Sequence, residues 1–223
     1  MTCVAQSWRQ LTDDVWTGPT VHGPWINVVA LGNVIVDSGL RWSHRRVARL
    51  LRRREVRAHL VTHAHADHVG STAWLCRTTG ADLLMGAADA DRFEAGRIDS
   101  VASRLGRVVA RWADPDRAPV HRRLREGDAV GSFRVLDTPG HSPGTVALWR
   151  PDDRVLVVGD GPVNLSTDPT SPRWLHLPRS LHHNFEQVRR SRQRLAGLEP
   201  ALVVPVHGHP IRNPRAWTEA CLR

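Results

Sequence analysis

The stretch THAHADHVG, residues 62–70, decides the reading of this chain. It follows AHLVT at 58–62, a short apolar run that reads as a buried strand. On an extended backbone, side chains two apart share a face, so His63 and His65 can grip one ion. Asp67 and His68, displaced as the chain turns into the next helix, can grip a neighbouring one. Imidazole and carboxylate are donors suited to Zn²⁺ first, and also to Fe or Mn.

The motif alone holds too few donors for two ions. Three further segments supply them: TPGHSPG at 138–144 carries His141, VVGD ends in Asp160, and VHGHP at 206–210 carries His207. Each is a weak signal singly. All three follow apolar runs, so all sit at strand exits, where residues distant in sequence converge on one rim.

The surrounding segments alternate between element types. Residues 26–37, INVVALGNVIVD, read as two strands broken at Gly32-Asn33, a hairpin signal. Val47, Leu50 and Leu51 recur at helical spacing, which predicts an amphipathic helix across 43–53. A helix over 70–79 and the strand ADLLM at 81–85 follow. The second half is richer in strands: FRVLDT at 133–138, TVALWR at 145–150 and VLVVGD at 155–160. Phe185, Val188, Leu195 and Leu198 mark a helix, and ALVVPV at 201–206 a closing strand. With no internal repeat and no low-complexity linker, one domain over 1–223 is expected.

Hydrophobic residues at 41 % and charged residues at 24 % exclude a disordered or collagenous chain. No run of about 18 apolar residues offers a spanning helix. The opening MTCVAQSWRQL lacks the apolar segment of an export signal, so a cytoplasmic address is expected. Cys3, Cys76 and Cys221 are too scattered for a disulfide framework and read as reduced thiols. A net charge of +9 raises nucleic acid as a partner, but all 31 basic residues are Arg, and Lys and Tyr are absent. Biased codon usage produces that pattern without a ligand, so a small-molecule substrate is expected and nucleic acid is disfavoured. The nine tryptophans read as packing rather than a stacking series. Oligomeric state is not encoded in any of these motifs.

Taken in order, the motifs resemble those of the metallo-β-lactamase-fold hydrolase superfamily over nearly the whole length, from the hairpin at 26–37 to His207. The resemblance implies an α/β (α+β) fold, a four-layer αβ/βα sandwich, with a two-metal site at one edge of its sheets. It implies that His63, His65 and His141 hold the first ion, that Asp67, His68 and His207 hold the second, and that Asp160 bridges them. A bridging Asp makes the pattern closer to glyoxalase II and related dinuclear hydrolases than to the antibiotic-destroying lactamases. Asp37, at the end of VIVD, fits a family position with a supporting role.

Two ions sharing a hydroxide at neutral pH need no protein nucleophile. The expected reaction is therefore attack on a small-molecule thioester, ester or lactone, with Asp67 orienting the nucleophile. Without Tyr or Lys the chain cannot reproduce the contacts by which glyoxalase II holds glutathione. Substrate contacts are expected from His182, His183 and Trp174, in or beside the Pro-rich segment 161–181, with His22 and Trp25 as weaker rim candidates and His209 as a neighbour of the site. The alternatives are a phosphodiesterase or nuclease of the same superfamily, a mononuclear-iron dioxygenase, and a binding module without activity.

Overall fold

Alternation along the apolar runs sorts their side chains onto two faces, and both faces are buried. A computed structural model describes residues 8–21, 23, 25–96, 116–168 and 171–223. The first sheet consists of β1 (Arg9–Gln10), β2 (Val15–Pro19), β3 (Asn27–Leu31), β4 (Val34–Val36), β5 (Ala58–Val61), β6 (Asp82–Gly86) and β7 (Arg122–Leu124), paired in chain order. Its first four strands form an antiparallel meander, and β4 to β7 run parallel. Then come β8 (Ala129–Val130), β9 (Phe133–Asp137), β10 (Val146–Arg150), β11 (Val155–Val158), the ribbon of β12 (Val163–Asn164) with β13 (Trp174–Leu175), and β14 (Leu202–Pro205). The second sheet has the order β14-β11-β10-β9-β8.

Helices cover the outer faces: α1 (His44–Leu51), α2 (Ala66–Val69), α3 (Thr72–Thr79), α4 (Ala87–Glu94), α5 (Phe185–Ala196) and α6 (Pro214–Leu222). Between the sheets, Val29, Val36, Leu60 and Leu84 meet Val135, Leu148, Val157 and Val204. Cutting fully buried Leu60 back to Ala would cost about 2–5 kcal/mol. The alternate residues Val28, Ala30 and Ile35 pack outward on Val47 and Leu50 of α1 and Leu75 of α3. Leu83 and Met85 pack on Ala90 and Phe93 of α4. On the far side, Leu156, Val158 and Val203 pack on Leu195 of α5 and Trp217 of α6. The result is the helix–sheet–sheet–helix sandwich that the family resemblance implies.

The hairpin turns at Gly32-Asn33, and the strands and helices read from sequence appear within a few residues of their expected bounds. The helix expected over 70–79 begins at Thr72, after α2 as a separate turn that carries Asp67 and His68. The sequence reading did not find β1, β2, β7, β8, β12, β13, α4 or α6. Cys76 and Cys221 are free thiols, pushed up by burial to about 11 and about 12, and Cys3 and His22 lie outside the described residues. Among the described residues, no helix is long and apolar enough to cross a membrane.

Strand direction creates the rim. β4 and β5 are parallel, β11 and β14 are parallel, and β9 runs the same way as β11 because both are antiparallel to β10. Their exits gather at one edge. Two backbone bonds join the sheets there: Val146 N–H donates to Thr62 O at 2.9 Å, and Asn27 N–H to Val206 O at 2.8 Å.

Candidate metal centre

Seven side chains from that edge point their donor atoms at one another. Those of His63, His65, His141 and Asp160 lie within 4.8 Å of each other, as do those of Asp67, His68 and His207. Asp160, two residues beyond β11, faces both groups. Its Oδ2 is 2.8 Å from His141 Nε2, while its Oδ1 is 3.1 Å from the Nε2 atoms of both His68 and His207. Asp67 Oδ2 lies 3.4 Å from His207 Nε2 and 3.8 Å from His68 Nε2.

Four of the five rings are aimed from behind, since the nitrogen not facing the cluster has a partner that sets its orientation. Asp37 Oδ2 is 2.7 Å from His68 Nδ1, and the same carboxylate accepts Thr62 N–H at 2.7 Å and Thr62 Oγ1 at 2.8 Å. His207 Nδ1 donates to the Trp25 carbonyl. His141 Nδ1 faces His182 Nδ1 at 3.0 Å, and His63 Nδ1 faces Thr62 Oγ1 at 3.2 Å.

Asp89 on α4 was not singled out from sequence. Buried to 1 % exposure, it accepts Ala64 N–H at 2.8 Å, Ser142 Oγ at 2.6 Å and Gly144 N–H at 2.8 Å. It thereby clamps the loop of His63 and His65 to the loop of His141. Glycine serves the same geometry beside His141: Gly140 has φ +129°, and a Cβ there would sit 2.3 Å from Val188 N.

Burial and partners divide the cluster electrostatically. Burial holds the His63 imidazole well below its ordinary value and His65 down to about 3, so both are neutral and ready to ligate. Burial also works against charge on His68 and His207, yet Asp37 and Asp67 raise His68, and Asp160 raises His207 to about 10. Although burial opposes ionisation of Asp67 and Asp160, His68 and His207 keep Asp67 low, and His141 and His207 keep Asp160 low.

The donor set fits divalent cations. His63 Nε2 faces His65 Nδ1 at 3.0 Å, His141 Nε2 faces the same His65 Nδ1 at 2.8 Å, and His68 Nε2 faces His207 Nε2 at 3.1 Å. A pair of facing nitrogens is satisfied by one proton at most, and buried Asp160 Oδ1 accepts no hydrogen bond. Cations held between these atoms satisfy all of them together.

Of the residues expected to touch substrate, His182 is buried against His141, with ring centroids 5.1 Å apart. His183 is exposed and joins the cluster only through its backbone N–H, which donates to His141 O at 3.1 Å. Trp174 is half-buried against the apolar layer under α5 and α6. Trp25 is 51 % exposed, and His209 is held through its backbone N–H to Asn164 O at 2.9 Å.

Known proteins share this fold. The family model described as the metallo-beta-lactamase superfamily matches residues 26–208. A probable metallo-hydrolase, YflN of Bacillus subtilis, is 24 % identical over 200 residues, 80 % of this chain and 76 % of its own length. A hydroxyacylglutathione hydrolase of Methylococcus capsulatus is 34 % identical over 139 residues, 62 % of this chain but only 43 % of that enzyme. Among solved structures, TTHA1623 in a di-iron-bound form superposes with a TM-score of 0.65 at 26 % identity, covering 91 % of this chain and 96 % of that one. Fold, rim and sequence match agree: the chain belongs to the metallo-beta-lactamase superfamily and is a metal-dependent hydrolase.

Proposed function

We propose that the chain is a dinuclear hydrolase of a small-molecule carbonyl substrate, namely a thioester, ester or lactone. The observation that carries this reading is Asp160, whose two oxygens face different histidine groups at 2.8 and 3.1 Å. In this reading His63, His65 and His141 hold one divalent ion, Asp67, His68 and His207 hold the other, and Asp160 serves both. The donors suit zinc, iron or manganese, and the di-iron relative supports iron beside zinc.

Ions bound there supply water ionised near neutral pH and polarise the carbonyl oxygen. The protein's own part is orientation. Asp67, with its side chain 36 % exposed, is the carboxylate of the cluster open to solvent and accepts a hydrogen bond from the attacking water. Asp37 and the Trp25 carbonyl hold His68 and His207 in place, and each histidine would hold an ion in its neutral form. The hydroxyacylglutathione hydrolase relative supports thioester chemistry. Glutathione itself is disfavoured as the recognised group, because the chain has no Lys or Tyr.

The test is metal analysis of protein purified without added metal, then a panel of thioesters, lactones, β-lactams and bis-nitrophenyl phosphate. About two ions per chain and turnover of carbonyl substrates are expected. Asp160→Asn should lose metal and lower turnover by about 100-fold or more. Turnover of the phosphodiester alone would replace this reading with a nuclease, and oxygen uptake by a one-iron sample with a dioxygenase.

A further inference from the structure

Arg192 on α5 is 7 % exposed, yet its Nε and Nη2 make no hydrogen bond. Arg150, similarly buried at 8 %, shows the contrast: it is bonded to Asp14, Asp153 and Ser132. A guanidinium keeps its charge at neutral pH, and a buried charge without a partner destabilises the fold unless something offsets it. The two unpartnered N–H groups of Arg192 are the side-by-side pair along one edge of the guanidinium. That edge matches the two oxygens of a carboxylate.

Arg192 lines a cleft of about 420 Å³, counted out to its open mouth, which also takes in His141 and Asp160 of the metal centre. Val158 of the second sheet, Val188 and Leu195 of α5 and Trp217 of α6 make its walls largely apolar. Asp160 is the one acid among the described residues lining it, and its oxygens face the histidines of the cluster. Arg192 is likewise the one arginine there. Close by, His176 and His182 each bury an unpartnered Nε2.

We propose that the Nε and Nη2 edge of Arg192 is the receptor for a carboxylate carried by the substrate, so that the metal centre acts on acyl compounds with a free acid group. A carboxylate is favoured over a phosphoryl dianion because a single guanidinium edge offers two donors, and a dianion with three oxygens calls for more. The inference depends on the hydrolase reading for its use, and on the buried Arg192 edge for its existence.

The test uses the full chain, as purified and again after chelator treatment, with succinate as the carboxylate probe and inorganic phosphate as the comparison, read by calorimetry and thermal unfolding. Succinate should bind both preparations, and Arg192→Gln should weaken it by about tenfold or more. Arg192→Lys, which keeps the charge but not the paired donors, should bind with intermediate strength. Without succinate, Arg192→Gln should unfold at the wild-type temperature or above it, because a lone buried charge has gone. Should that variant misfold, the Lys variant decides: wild-type succinate affinity in a folded Lys variant overturns the proposal, and weaker binding supports it. No succinate binding by the wild type, equal affinity in Arg192→Gln, or tighter binding of phosphate than of succinate overturns it too. Succinate bound through Arg192 in a chain that neither holds metal nor hydrolyses carbonyl compounds would sink the hydrolase reading alone.

Discussion

Asp37 Oδ2 lies 2.7 Å from His68 Nδ1, and both side chains are fully buried. Asp37 also sits at φ +57°, a conformation that Asn tolerates, so Asp37→Asn removes charge with little backbone strain. Metal affinity in that variant should fall by about 10–100-fold with the fold retained, as read by chelator competition. Unchanged affinity would mean that Asp37 is only a packing residue.

Asp89→Ala should destabilise the metal-free chain by about 2–4 kcal/mol, measured by urea unfolding. It leaves the Ala64 and Gly144 N–H groups and the Ser142 hydroxyl without their acceptor in a buried place. A variant as stable as the wild type would show that the two loops do not depend on this clamp.

The metal-free chain should be most stable near pH 6.5. His65 titrates at about 3 in the fold against about 6.5 unfolded, so acid favours the unfolded state increasingly as pH falls from 6.5 toward 3. His207 titrates at about 10 in the fold, so its contribution is complete below 6.5 and is lost as pH rises toward 10. Thermal unfolding across that range checks both limbs. A midpoint that climbs steadily to pH 9 would contradict the His207 assignment. Titrating metal into the chain at pH 7 should release protons, detectable as a dependence of the binding heat on the buffer used.

Gly208→Ala should destabilise the chain by about 1–3 kcal/mol and weaken metal binding together. Gly208 has φ +92°, and a Cβ there would sit 2.5 Å from Asn164 O, so relief of the clash has to move the turn that carries His207. Parallel chelator competition and thermal unfolding separate the two effects. Loss of stability with full metal affinity would show that His207 is held by other contacts.

The metal cluster was legible because its signal is local and dense. His63, His65, Asp67 and His68 fall within six residues after an apolar run, and the remaining donors each follow another such run. Asp89 carried no such mark: it stands in GAADADRF among alanines and other acids, and its partners lie 25, 53 and 55 residues away. Arg192 was hidden for the same reason, in RRSRQR, where only the packing of α5 distinguishes it from its exposed neighbours. β2 ends on Gly18-Pro19, two residues disfavoured inside strands, and is held by its pairing with β3 while Gly18 packs under Leu50. α6 could have been found. Asn213 caps it through Ala216 N–H at 3.0 Å, Pro214 opens it, and Trp217, Ala220 and Cys221 recur at helical spacing.

The β12–β13 ribbon is tied to the turn that carries His207. Asn164 pairs with the backbone at Gly208, its carbonyl accepts His209 N–H at 2.9 Å, and its side chain accepts Ser166 N–H at 3.0 Å and Arg173 N–H at 3.1 Å. The ribbon and the His207 turn are thus stitched through one asparagine. A shift of that ribbon therefore pulls, through Asn164, on the backbone next to one member of the cation cage.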